Sequence, residues 1–497
     1  MGPSEGSSGI DPPAYALSRW AFLRLLGLIY LIAFASLWSQ LAGLVGSNGI
    51  LPATQLLQAA HQQLGPERYW VLPTLCWLNA SDAFLHGLCA AGSLLAVLLL
   101  LDLAPAPALC GLWGAYLSLA TVCREFLEFQ WDNLLLETGF LAIFLAPLRV
   151  RPRLVGDAPP SPIALWLLRW LLFRLVFSSG VVKLTSGDPV WRNLTALTYH
   201  YETQPLPTWI GWYAHQLPAG AHQVSCALMF AVELAIPFLI FAPGRWRYAG
   251  AGILVMFQLL IAATGNYCFF NLLAIALCVL LVDDAVWPRR WRQRLAQGAA
   301  PRGRMWRWPA WVLVPLAAVI LLVSAVQLGG AFHARVPWPG PVLTPVRWLA
   351  PFRTINGYGL FAAMTTARRE ILVEGSLDGV EWQAYEFTDK PGDPARRPHF
   401  VAPHQPRLDW QMWFAVLGSV QQNPWFIQFC ERLLAGSPEV LALLAANPFP
   451  DQPPRYLRAT VYAYRFTDLA AKRAEGTWWQ RSRQGLYCPV LTLTSTR

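Results

Sequence analysis

Charge is scarce in this 497-residue chain: Asp, Glu, Lys and Arg make up 13% of it, against 55% hydrophobic residues, and the mean hydropathy is +0.37. Soluble proteins carry about 25% charged residues, so a water-soluble multidomain reading is excluded in favour of a membrane protein. Lysine is scarcer still, with Lys183, Lys390 and Lys472 the only three among 38 basic residues. Arginine therefore does nearly all the charge anchoring, and a lysine at membrane depth stands out. The formal charge of +10 does not point to nucleic acid, because the basic residues sit in short clusters beside apolar segments, as the positive-inside rule places them. The nine cysteines contain no CxxC pair, so a zinc site or thioredoxin-like motif lacks its usual support and no metal is expected. A disulfide between Cys430 and Cys488 stays open, since sequence separation does not fix the geometry a bridge requires. No GxSxG nucleophile elbow, Walker loop, GxGxxG after a strand or HExxH helix is readable, which narrows the field of enzymes.

What is present is a series of apolar runs. Residues 1–19 are Ser/Gly/Pro-rich with Glu5 and Asp11, unlike the basic start of a signal peptide. The run after Arg19 reaches Val45 and reads as a retained span. Further runs near 84–101, 106–123, 133–148, 162–185, 224–242, 247–264, 267–282 and 309–328 approach the ~20 residues that cross a bilayer. Arg149, Arg151 and Arg153, then Arg245 and Arg247, then Arg289, Arg290, Arg292 and Arg294 all fall on one side of a nine-span chain, which the charge rule makes cytoplasmic. The expected fold is an α-helical polytopic membrane protein of about nine transmembrane helices with a C-terminal extracytoplasmic β-rich domain. The division is an N-terminal tail at 1–19, a membrane domain at 20–329 and the C-terminal domain at 330–497.

In that last part, Glu370–Glu374 and Val380–Phe387 flank Gly375-Ser376-Leu377-Asp378-Gly379 as a hairpin. Tyr456 to Phe466 and Leu486 to Thr494 read as strands. Leu408–Leu417 and Asn423–Leu434 read as helices lying on the sheet or at the lipid interface. Pro391 to Pro406 reads as a loop.

Ionisable residues at membrane depth cost roughly 2.5–3.5 kcal/mol each unless paired or wet. Lys183 stands near the outer end of the fifth run. In an apolar cavity it loses proton affinity and becomes a candidate general base; the alternative is a lysine that snorkels or pairs with Glu137 or Asp132. Trp191, Tyr199, His200, Tyr201 and Glu202 follow on the same side, as the lining of a substrate opening or as interfacial aromatics. His200 and Glu202 alternate in a way that suits a strand. Asn133 and Glu137 share one helix face, and Glu233 sits in mid-span. Asn266 and Asn271 bracket the eighth run as caps or interhelical hydrogen bonders. Arg353 and Asn356, in a Gly-containing stretch, form an anion clamp or a structural joint.

Phe129-Gln130-Trp131-Asp132-Asn133-Leu134-Leu135-Leu136-Glu137-Thr138-Gly139, Leu197 to Pro207, Thr264-Gly265-Asn266-Tyr267-Cys268-Phe269-Phe270-Asn271, Phe352 to Phe361 and Asp409-Trp410-Gln411-Met412-Trp413-Phe414 together resemble the lipase maturation factor family along nearly the whole chain. The resemblance implies a non-enzymatic factor that helps secreted lipases fold and assemble, resident in the endoplasmic reticulum membrane in animals. The arginine-rich, lysine-poor composition suggests a bacterial inner-membrane member with a periplasmic C-terminal domain. Client proteins such as lipases would then meet a patch containing Trp410, Trp413, Trp425 and Phe426. More distantly, Gly180-Val181-Val182-Lys183-Leu184 with Trp191 is similar to the segment of vitamin K-dependent γ-carboxylase that carries its base. That resemblance implies an enzyme acting on a quinone or lipid-like substrate through Lys183. No cofactor is expected under the first reading.

Overall fold

The computed structural model describes residues 14–151, 158–296, 307–334 and 336–493. Arg153, Thr494 and most of the N-terminal tail lie outside the described residues, as does the side chain of Arg294. Each of the nine apolar runs forms a helix: α1 Ala16–Trp38, α2 Asp82–Leu100, α3 Pro105–Val122, α4 Gln130–Leu145, α5 Pro162–Thr185, α6 Ala219–Leu234, α7 Gly244–Thr264, α8 Phe270–Val279 and α9 Ala310–Ala331.

Local chemistry sets their ends. Ser81 and Ser161 accept the amides of Phe84 and Ala164 in the first turns of α2 and α5, and Pro105 and Pro162 occupy first-turn positions where no amide is needed. The start of α1 is closed from afar: the Asp284 carboxylate accepts the amides of Ala16 and Leu17, each at 2.9 Å. The helix therefore begins at Ala16, inside the stretch expected to be tail. It ends at Trp38, and Leu41–Val45 forms a separate short helix, so the first run does not continue unbroken to Val45.

Six helices are long and apolar enough to cross a membrane: α1, α2, α5, α6 with its 3-10 continuation to Phe241, α7 and α9. The 16 residues of α4 rise only about 24 Å, short of the ~30 Å hydrocarbon layer. Most of α1 and α5 is buried, whereas α9 is largely exposed. Among these six, α1 and α5 lie innermost and α9 on the rim.

The C-terminal part carries β1 Arg368–Ser376, β2 Gln383–Ala384, β3 Glu386–Phe387, β4 Leu444–Ala446, β5 Tyr456–Phe466 and β6 Trp479–Leu491. An antiparallel sheet runs β2-β1-β5-β6, and β3 pairs separately with β4. The hairpin exists but is short. Asp378 accepts the amides of Val380 and Glu381 in its turn, yet only Glu374↔Ala384 and Gly375↔Gln383 pair before the chain leaves for β4 at Glu386. The main partner of β1 is β5, in register from Arg368↔Tyr464 to Ser376↔Tyr456. The strand expected from Leu486 is the later half of β6, which begins at Trp479.

Helix α11 Pro424–Leu434 forms within its expected stretch, and α10 Arg407–Ala415 starts one residue before its own. Both are lined with buried residues, including Leu408, Trp410 and Met412 on α10 and Phe426, Phe429 and Leu433 on α11. They pack inside the molecule instead of resting on lipid. Cys430 and Cys488 are buried free thiols, and burial pushes both thiols up, with Cys488 adding to the effect at Cys430.

Close approach inside the bundle depends on Gly139, where an added Cβ would stand 1.9 Å from the Tyr30 hydroxyl, itself bound to the carbonyl of Leu135. Gly139→Ala is expected to destabilise the detergent-solubilised protein by about 1–3 kcal/mol, the usual cost of overpacking. Tyr30→Phe added to it should recover part of the loss in a thermal unfolding measurement. Equal stability of wild type and Gly139→Ala would contradict this packing.

Candidate functional site

Many of the residues singled out in the sequence meet where the helical bundle joins the C-terminal part, and the buried charges among them stand in pairs of opposite sign. Asp132, in the first turn of α4, is fully buried. It receives Arg407 from the start of α10 in a two-pronged pair at 2.7 and 2.9 Å, and the Tyr116 hydroxyl donates to it at 2.6 Å. Arg407 also donates to the Phe126 carbonyl. A fork of this kind satisfies both carboxylate oxygens at once, which a buried charge requires.

One turn and a residue further along α4, Glu137 pairs with Arg174 of α5. Its second oxygen accepts the backbone amide of Asn356 at 2.8 Å, the Asn356 side chain at 3.1 Å and the Tyr358 hydroxyl at 2.8 Å. Arg174 donates to the carbonyl of Asn356, and Arg353 donates to the Leu127 carbonyl and to Asn133. Arg353 and Asn356 therefore form a joint, with carbonyl and amide partners where an anion would have to sit.

Lys183 donates to both oxygens of Glu233, at 2.6 and 2.7 Å, within the protein interior. Its ammonium lies 5.5 Å from the Trp191 ring, and Trp191 donates to the carbonyl of Phe361. The partner of Lys183 is thus Glu233; the carboxylates of Glu137 and Asp132 are taken by arginines. A cavity of about 280 Å³ between α5, α9 and the 356–359 segment includes Val182 in its wall but not Lys183.

Tyr199 to Glu202 lie on a helix, Leu197–Thr203, in place of the strand read from their alternation. The helix is followed by a segment clamped from the sheet: Arg368 of β1 donates to the carbonyls of Glu202, Gln204 and Pro205 and pairs with Glu370 at 2.6 Å. Glu202 accepts the amide of Phe466 at 2.6 Å; burial pushes its carboxyl up, while that amide and Arg368 oppose the shift. His200 meets the Tyr267 hydroxyl at 3.2 Å and the Phe361 ring edge-on. Burial, with the charge of Lys183 adding to it, pushes His200 down to about 4. Tyr199 packs against the cluster that holds Trp191 and Phe230, and Tyr201 against the one that holds Trp212 and Trp479. Asn266 uses its whole amide, donating to Leu206 and His399 carbonyls and accepting from Val401 and Ala402. Asn271 donates to Gln258, linking α8 to α7.

The expected aromatic client patch is not on the surface. Trp410, Trp413, Trp425 and Phe426 are all buried. Trp410 packs edge-on against Phe129, Trp131 and Tyr267, and Trp413 donates to the carbonyl of Thr203. They fill the joint between the two parts, because the apolar periodicity that marks a binding face also marks a core face. Arg368, Arg407 and Arg174 were not singled out. Their signal was an arginine within an otherwise apolar or strand-like stretch, unreadable without knowing its distant partner.

Two family models match the chain: the lipase maturation factor transmembrane domain over residues 17–289 and the lipase maturation factor C-terminal domain over residues 354–489. Human lipase maturation factor 2 is 37% identical, covering 96% of this chain and 83% of that protein. Mouse lipase maturation factor 1 is 34% identical, covering 99% and 90%, and its human counterpart is 32% identical, covering 100% and 91%. No solved structure matches. The carboxylase reading gains no support from these matches.

Removing one partner of the Asp132–Arg407 pair leaves a buried charge. Asp132→Ala should cost about 3–5 kcal/mol in detergent unfolding, and the apolar double replacement Asp132→Leu with Arg407→Met should restore most of it; equal losses in the single and double variants would show that the pair does not carry the joint. His200, neutral in the fold, contributes stability that is complete above its ordinary value near 6.5 and is lost as pH falls from there towards about 4. His200→Gln should flatten the pH dependence of unfolding across that window, and an unchanged profile would contradict the assignment.

Proposed function

The chain belongs to the lipase maturation factor family, and from that premise we propose that it is a membrane-embedded maturation factor assisting the folding and assembly of secreted lipases or other exported proteins. The carrying observation is a match from end to end, spanning both family models at 32–37% identity over at least 95% of the chain. All nine apolar runs cross the membrane; α4 and α8 are too short to do so as helices alone, and the non-helical residues flanking them complete the crossing inside the protein. The arginines after α4, α6 and α8 then lie in the cytoplasm, and the β-rich part faces outward, in the periplasm of a bacterial inner membrane. The division between the two parts falls at the end of α9, which runs to Ala331, two residues beyond the expected boundary at 329.

The client surface is the outer edge of β6. It ends the sheet, carries Pro489, a residue tolerated on edge strands, and exposes Leu486 (54%) and Val490 (49%), with Leu417 (52%) also exposed nearby on the α10 side. An unpaired strand beside apolar side chains suits extended segments of a chain that has not finished folding. The engagement of Lys183 by Glu233 favours this reading over a membrane enzyme with a free base.

In a strain whose active lipase secretion depends on this factor, Leu486→Asp with Val490→Asp should lower active lipase at least about fivefold, corresponding to ~1 kcal/mol of lost client affinity, at unchanged factor level. Full activity would sink the edge-strand assignment. The double variant Lys183→Met with Glu233→Gln should mature lipase within about twofold of wild type, under ~0.5 kcal/mol on the same scale. Complete loss of maturation by a stably inserted double variant would instead support base chemistry. A phosphatase that folds only in the periplasm, fused after Arg497, should be active; an inactive phosphatase with an active cytoplasmic fusion would reverse the topology.

A further inference from the structure

Two segments outside the apolar runs expose large apolar side chains next to one another. The first is the stretch 65–78 just ahead of α2, where Trp70 is 47% and Leu78 80% exposed, with Leu75 exposed between them. The second follows α9. It is a helix, Gly340–Leu349, in which no residue is buried although Val342, Leu343, Val346, Trp348 and Leu349 make up half of it, and Trp348 is 63% exposed. The segments meet through their rings, Trp70 standing edge-on to Trp348 at 6.1 Å and to Phe352 at 4.8 Å. Contiguous exposed apolar surface of this kind marks an interaction site.

Both segments are held at the ends of candidate membrane spans. Leu78 lies four residues before Asp82, the first residue of α2, a reach of at most ~14 Å. After α9 the chain turns back on itself: His333 takes a left-handed φ of 52°, the Ala334 amide returns to the Gly329 carbonyl at 3.0 Å, and a Cβ added at Gly329 would meet the Trp338 ring at 3.7 Å. Helix 340–349 therefore stays against the end of α9, while its Val346 and Leu349 pack on the core. The Arg68 guanidinium lies over the Tyr69 and Trp77 rings at 4.4 and 5.5 Å, Arg347 precedes Trp348, and Glu67 is the single acid in 65–78 and 340–352. Aromatic rings and arginines at span ends are the composition of a lipid–water boundary. We propose that this face is seated in the bilayer: Trp70, Leu75, Leu78 and Trp348 enter one leaflet ~5–10 Å deep, at the boundary of head groups and acyl chains, and Arg68 and Arg347 reach lipid phosphates. The occupant is the phospholipid that α2 and α9 already cross, because exposed apolar residues follow α9 to its end, through Val314, Leu321 and Phe332, and the chain then turns onto this face. Helix 340–349 leads directly into Arg353 and Asn356, so the joint between the two parts is fixed at the height of the lipid heads. The assignment does not involve β6 and does not depend on the client reading.

The exposure of both tryptophans allows a direct test, since a photoreactive ring can replace either without emptying the core. The full chain would be placed in proteoliposomes of dioleoylphosphatidylglycerol and dioleoylphosphatidylcholine with p-benzoylphenylalanine at position 70 or 348, and after illumination phospholipid adducts would be counted by intact-protein mass spectrometry. Position 314, on the exposed face of α9, serves as the lipid-facing control, and position 380, in the exposed turn between β1 and β2, as the other. Adducts at 70 and 348 should exceed those at 380 at least about tenfold, as expected of side chains held among acyl chains and not in water. Adducts at 314 without adducts at 70 and 348, or yields there no higher than at 380, would place the face in water. Cross-linked dimers from either position would assign it to a second copy of the chain. Each of these results overturns the proposal.

Discussion

Buried acids answered by buried bases hold this molecule together. In a medium of low dielectric an unpaired carboxylate is so costly that its partner's position is dictated by it. Two of these acids, Asp132 and Glu137, stand on the same short helix, and what answers them comes from widely separated stretches: Arg174, Asn356 and Tyr358 for one, and Arg407, 275 residues away, for the other. The C-terminal part cannot slide on the bundle without separating charge from counter-charge. The Arg368 clamp on the 202–205 segment and the four-bond amide of Asn266 add directional restraints to that electrostatic one.

That arrangement recasts what the recurring motifs of such a chain signify. The Phe129–Gly139, Leu197–Pro207, Thr264–Asn271, Phe352–Phe361 and Asp409–Phe414 stretches supply the two sides of one joint. Their polar residues are directed at backbone carbonyls, amides and one another. A family fingerprint of this kind records how two parts dock.

Periodicity and length were enough to place the apolar helices and β5, because burial of a continuous hydrophobic surface leaves its imprint locally. The interfaces were not legible in the same way. Trp410 and Trp413 have the composition of a binding patch, and only the presence of Phe129, Tyr267 and Thr203 against them shows that they are interior. Lys183 is conspicuous in the sequence, yet the carboxylate that meets it is not legible there, since Glu137 and Asp132 are as plausible as Glu233 until the arginines that occupy them are located. The alternation of His200 and Glu202 misled for a related reason: a helix of seven residues is too short to display its own period.

The Asp284 carboxylate completes the first turn of α1 from 268 residues downstream. During synthesis the opening helix therefore enters the bilayer with two bare amides at its start, and they stay so until the eighth helix has been made and its following loop has folded back. Insertion and final assembly are consequently separate events for this chain: the first segment is threaded early, but its position is locked only when most of the membrane part already exists.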